Sequence, residues 1–95
     1  MQYMEATQIQ RKTETRADGI KLEMVIWQLS QATAERPHGL KYRLWAGRDG
    51  NSLVRYDNER GKGDHRHLGR RKISYELRGL AALVEDFMND VEALK

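Results

Sequence analysis

His65 and His67 flank an arginine in the tetrapeptide DHRH, a spacing at which two imidazoles can share work on a phosphate. In an extended backbone alternate side chains point the same way, so both rings would share one side with β-carbons roughly 6–7 Å apart. Two chemistries want that pair. In metal-independent RNA cleavage a base takes the proton of the 2′-hydroxyl and an acid protonates the departing 5′-oxygen. Imidazoles titrate near neutrality and can divide those tasks, while Lys or Arg stabilises the charge of the phosphorane. Alternatively, the rings supply two nitrogens to zinc or another divalent ion, with Asp57, Asp64, Glu59 or His38 completing the shell. The adjacent cations Arg60, Lys62 and Arg66 repel a metal ion and favour the phosphate. The catalytic candidates are therefore His65, His67, Arg66, Lys62, Tyr56 and Asp57, with no metal and no cofactor expected.

These residues belong to a longer run, RYDNERGKGDHRHLGRRK at 55–72, which carries seven Lys or Arg against three Asp or Glu. Its charge of +4 exceeds the +3 of the whole chain, so the remainder sums to −1. Glycines around Lys62 let backbone amides approach a phosphate, although the same pattern serves a hairpin tip. Arg70, Arg71 and Lys72 form a cationic patch suited to backbone phosphate without sequence preference, or to a solvated turn. Tyr56 either stacks on a base or closes the core of its strand. His38 is a third imidazole whose place relative to the pair the sequence does not fix.

The elements that must position this run are legible from periodicity. Residues 5–16 alternate weakly and are rich in Thr and Gln, as in an edge strand. Ala17-Asp18-Gly19 signals a tight turn of the Asp-Gly type. Residues 20–29 are apolar on both faces, which predicts a central strand buried on both sides. Residues 40–46 alternate cleanly, with Lys41, Arg43 and Trp45 on one face. Gly47-Arg48-Asp49-Gly50 turns the chain into a partner strand over 52–56, and 72–77 alternates again. Finally, Leu80, Leu83, Val84, Phe87, Met88, Val91 and Leu94 trace one stripe of a helix. Glu85, Asp86, Asp90 and Glu92 fall elsewhere on that helix, where they attract a basic partner, pair with the chain's own basic run or, as such charge runs usually do, face solvent.

An antiparallel sheet of about five strands, covered on one face by a C-terminal amphipathic helix, is an α+β domain. The other face would carry Lys41, Arg43 and Trp45, two cations and either an aromatic platform for nucleic acid or a ring that simply covers the sheet. Residues 1–95 make one domain of the size a single core can support. There is no cysteine, hence neither a disulfide nor a thiolate metal site. No apolar run approaches the roughly 20 residues of a membrane span, and the N-terminus has no apolar signal core, so a soluble cytoplasmic protein is expected. A pI near 9.4 permits an acidic partner. The first strand, if it lies at an edge, permits a homodimer.

The order HGLKYRL, YDNERGKGDHRH, then LVEDFMNDVEAL resembles the TumE-type toxins of prokaryotic toxin–antitoxin pairs, the run at 56–67 being the specific part. The likeness extends from LEMVIW at 22–27 to the C-terminal helix. It implies a cognate antitoxin, usually of helix-turn-helix type, and by analogy an RNA substrate. It assigns no role to individual residues. Three readings follow: a metal-independent ribonuclease, a non-catalytic surface that docks nucleic acid or an acidic partner, and a metal-dependent enzyme with His65 and His67 as ligands. Nucleotide transfer is a fourth chemistry known among toxins, but no motif here supports it.

Overall fold

The computed structural model describes residues 5–34, 36–58 and 63–94. Six strands follow one another in space as in sequence: β1 (Ala6–Thr15), β2 (Lys21–Leu29), β3 (Leu40–Arg48), β4 (Asn51–Asp57), β5 (His65–Leu68) and β6 (Arg71–Ser74). Every neighbouring pair is antiparallel. One helix, α1 (Leu80–Glu92), completes the α+β domain. The strand beyond the expected five is β5, formed by the basic run itself.

The turns explain the register. Asp49 and Gly50 both have positive φ, 53° and 79°, which is what a two-residue hairpin loop demands. The turn expected over four residues is therefore only these two, and β3 runs on to Arg48. At the first hairpin only Gly19 has positive φ, 86°. There Asp18 accepts the Ile20 amide at 3.0 Å, so this Asp-Gly pair makes a wider loop than the tight turn its sequence predicts.

One face of the sheet is dry. Leu22, Met24 and Ile26 of β2, Tyr42, Leu44 and Ala46 of β3, and Val54 and Tyr56 of β4 are buried on it. Leu83, Phe87 and Val91 of α1 close over them, the middle of the predicted stripe. The Phe87 and Tyr75 rings meet Tyr56 edge-on, with centroids at 5.7 and 5.0 Å. Helix α1 begins after Gly79 without a side-chain cap, so packing rather than capping stabilises it. β2 differs from its expectation. It lies next to the edge strand, and Val25, Trp27 and Leu29 are half-buried because nothing described covers the sheet's second face.

Candidate functional site

Strand parity sorts the basic run onto two faces. In the pairings of β3, β4, β5 and β6, Arg43, Asp57, His65 and Ser74 stand in one row across the sheet. Trp45, Arg55, His67 and Lys72 stand in the next. Both rows alternate with buried Leu44 and Tyr56, so they lie on the face away from α1. The two imidazoles do share a side, as the spacing predicts, with ring centroids 5.0 Å apart and planes at 78°.

Around them a charged cluster has formed. His65 Nε2 lies 2.7 Å from Asp57 Oδ1, and Arg55 Nε lies 3.2 Å from Asp57 Oδ2. Both are ion-pair contacts rather than aligned hydrogen bonds: Asp57 Oδ1 and Arg55 Nε are buried atoms with no hydrogen-bond partner among the described residues. His65 and Asp57 are each only 5% exposed, crowded by Arg55 and by the edge-on His67 ring. His65 Nδ1 donates to the Gly63 carbonyl at 3.2 Å, because a carbonyl can only accept. Its Nε2 is thereby turned toward the Asp57 carboxylate.

His67 is in the opposite condition. Its Nε2 accepts from Arg55 Nη2 at 2.9 Å, since a guanidinium can only donate. Burial, then the Arg55 charge, then His65 hold its pKa below the ordinary histidine value. A neutral imidazole therefore stands beside one that faces a carboxylate. Their ligand atoms and those of Asp57 all lie within 4.8 Å of one another, near enough for a metal ion to span.

Of the other predicted residues, Lys41, Arg43 and Lys72 share this open face, and Lys41 Nζ sits 5.4 Å from the Trp27 ring centroid. Arg70 occupies the turn between β5 and β6, and Arg71, opposite Leu68, points to the helix side. Lys62 and Arg60 lie outside the described residues. Tyr56 and Arg66 are not brought to the histidines. Tyr56 is fully buried, its hydroxyl donating to Asp90 and lying 3.2 Å from the Asp86 carbonyl. Burial and Asp90 push that hydroxyl's pKa up to about 12. Arg66 Nη1 donates to the same Asp90 carboxylate at 3.1 Å and to the Tyr56 oxygen at 3.2 Å. The helix acids expected to be solvated are thus partly engaged, for Asp86 also accepts from Tyr75 and Arg78, both at 2.6 Å.

His38 does not join the pair either. It meets Asp64 at 3.0 Å, and Tyr42 donates to the same carboxylate at 2.8 Å. Beside it, buried Asn58 accepts the Tyr42 amide at 3.1 Å and donates to the Leu40 carbonyl at 2.8 Å, continuing the ladder with a side chain. Arg36 caps the Asn58 carbonyl through two nitrogens, at 3.2 and 2.8 Å. Arg55 is the site residue that sequence reasoning passed over. The signal was its parity with Asp57, two residues on, which places both on the histidine face once β4 is a strand.

The family model described as toxin TumE matches residues 2–95. The chain belongs to the TumE toxin family. Membership makes it a toxin and implies an antitoxin partner, as the resemblance did. No curated protein and no solved structure gives a match. Among the described residues of this TumE-family chain, no helix is long and apolar enough to cross a membrane.

Proposed function

We propose that this toxin is a metal-independent ribonuclease whose site is the open face around Asp57, His65 and His67. The observation that carries the reading is the pair of unlike imidazoles. His67 is held neutral and suited to be the base, while His65, buried against the Asp57 carboxylate, is placed to be the acid. An RNA phosphate would draw Arg55 from His67 Nε2, freeing that lone pair and uncovering His65. His67 then takes the 2′-hydroxyl proton as O2′ bonds to phosphorus, the P–O5′ bond breaks, and His65 gives its proton to O5′. Arg55, Arg43, Lys41 and Lys72 supply positive charge to the phosphorane and to the flanking backbone. Arg70, in the turn between β5 and β6, would extend that field, and Lys62 and Arg60, which precede β5 in the sequence, would add to its charge. The setting is the cytoplasm, with a helix-turn-helix antitoxin that neutralises the toxin.

Purified toxin should cut RNA in EDTA and leave 2′,3′-cyclic phosphate ends, and His67→Ala or His65→Asn should abolish cutting. Full activity in both variants would refute the mechanism. Induced expression that arrests growth without RNA damage would reject the nuclease and leave the toxin role standing. A second reading rests on the unaligned contact between His65 Nε2 and Asp57 Oδ1, which a divalent cation between them also satisfies. Loss of cutting on chelation, restored by zinc or manganese, would favour that reading over a shared proton. A third outcome, salt-sensitive RNA binding with no cutting, would make the face a docking surface.

A further inference from the structure

Trp45 occupies the row next to Arg43 and stands opposite Arg55, which in turn stands opposite His67. Two strand spacings, about 10 Å, therefore separate the indole's strand position from that of the proposed base. Gly47, two residues along β3, explains how the ring lies. A β-carbon at Gly47 would fall 2.4 Å from Trp45 Cζ2 and Cη2 and 2.4 Å from the Asn51 carbonyl. Gly47 does not have the positive φ of the turn glycines, so the glycine is needed for space rather than for backbone conformation. The Cζ2–Cη2 edge of the indole lies over the bare backbone of Gly47. A shallow groove of about 520 Å3 opens over it, walled by Thr15, Lys21, Glu23, Arg43 and Asp49. Its charges balance, with Glu23 between Lys21 at 3.5 Å and Arg43 at 3.6 Å. A groove of even charge with an aromatic floor gives a phosphate little reason to settle. It offers a base a stacking surface and an edge of mixed donors and acceptors.

We propose that Trp45, seated on Gly47, is the floor of a base-stacking subsite for a nucleotide flanking the one cleaved. The inference rests on the ribonuclease reading for its meaning but not for its test. The subsite makes single-stranded RNA the substrate, since a paired base has no free face to offer. Arg43 is shared by the groove and the histidine row, so a chain stacked on Trp45 passes its backbone toward Arg55 and Lys72.

The test uses the full chain with Trp27→Phe, leaving Trp45 as the sole indole, and an octamer of 2′-deoxynucleotides that has no 2′-hydroxyl and is not cut. The octamer should quench Trp45 fluorescence. Trp45→Leu, followed by anisotropy of a labelled octamer, should bind roughly 5- to 150-fold more weakly. Trp45→Phe should retain part of the affinity. Absence of quenching, or unchanged affinity in Trp45→Leu, overturns the subsite. Quenching by the octamer in a protein that never cuts RNA upholds the subsite and removes the ribonuclease reading. Normal cutting by Trp45→Leu with an unaltered KM does the reverse.

Discussion

Arg55 and Arg66 stand on neighbouring strands and face opposite sides of one sheet. On the helix side, Arg66 commits one nitrogen to both Asp90 and Tyr56 in aligned hydrogen bonds, leaving its buried Nε as the atom without a partner. On the open side, Arg55 has one aligned bond, to His67, and a contact with Asp57 that is near but unaligned. The helix gives Arg66 a fixed carboxylate, so its charge holds two elements together. The open face gives Arg55 a neutral imidazole and an offset carboxylate, an arrangement that an incoming phosphate can improve upon. The same residue type is a fastener on one face and, in the proposed mechanism, a phosphate ligand on the other, and only strand parity separates them.

That contrast breaks most sharply at His67 against Arg66. His67→Ala should lower RNA cleavage by roughly a hundred- to ten-thousandfold with little change in melting temperature. Arg66→Ala should lower the melting temperature and slow cleavage only in proportion to the protein unfolded. An Arg66→Ala variant that is folded yet dead would erase the distinction between the faces.

Phe87, at 0% exposure, is the next lever. Phe87→Ala should cost about 3–5 kcal/mol in urea unfolding, from the cavity left under the helix. Asp90→Ala should cost about 1.5–3 kcal/mol, because it leaves the Arg66 guanidinium without its carboxylate partner. A double variant, Arg66→Met with Asp90→Leu, should regain much of that loss. Failure to regain it would mean that the pair contributes more than mutual neutralisation.

Smaller effects lie in the pH profiles. Since His67 is held below the usual histidine value of about 6.5, cleavage should rise with pH through a midpoint under that value. Arg55→Gln removes a cation that favours the neutral ring, so the midpoint should move to higher pH. A midpoint that moves down, or stays fixed, would show that Arg55 does not govern His67. On the helix face, the Tyr75 hydroxyl and then Arg78 hold Asp86 below its ordinary range. The stability this contributes is full above about pH 4 and fades as pH falls through the lowered value. Asp86→Asn should flatten that acid limb in thermal melts.

Much of this was legible because periodicity survives translation into faces. The helix stripe placed Leu83, Phe87 and Val91 in the core, and alternation over 40–46 put Lys41, Arg43 and Trp45 on one side. Strand β5 was harder, since HRHL has no apolar alternation, and its extended form comes from pairing with β4. The roles of Asp86 and Asp90 were hidden for a related reason. Whether a helix acid meets solvent depends on which strand residue lies beneath it, and the chain does not announce that Arg66 and Tyr75 do. The apolar second face of β2 misled differently. Val25 and Trp27 point to the open side, where an aromatic is more use to a ligand than to a core.

The ties at Asn58 and Asp64 have a consequence for how the protein can vary. Both ends of the segment 59–62 are fastened to the rest of the chain, Asn58 through Leu40, Tyr42 and Arg36, and Asp64 through His38 and Tyr42. The described contacts on either side of this tetrapeptide hold the end of β4 and the start of β5 in place. Lengthening it carries only the slow entropic cost of a larger loop, about 0.6 kcal/mol for each doubling. Relatives and engineered forms could therefore change its length and charge, retuning what approaches the histidines, while the strands that carry them stay in place.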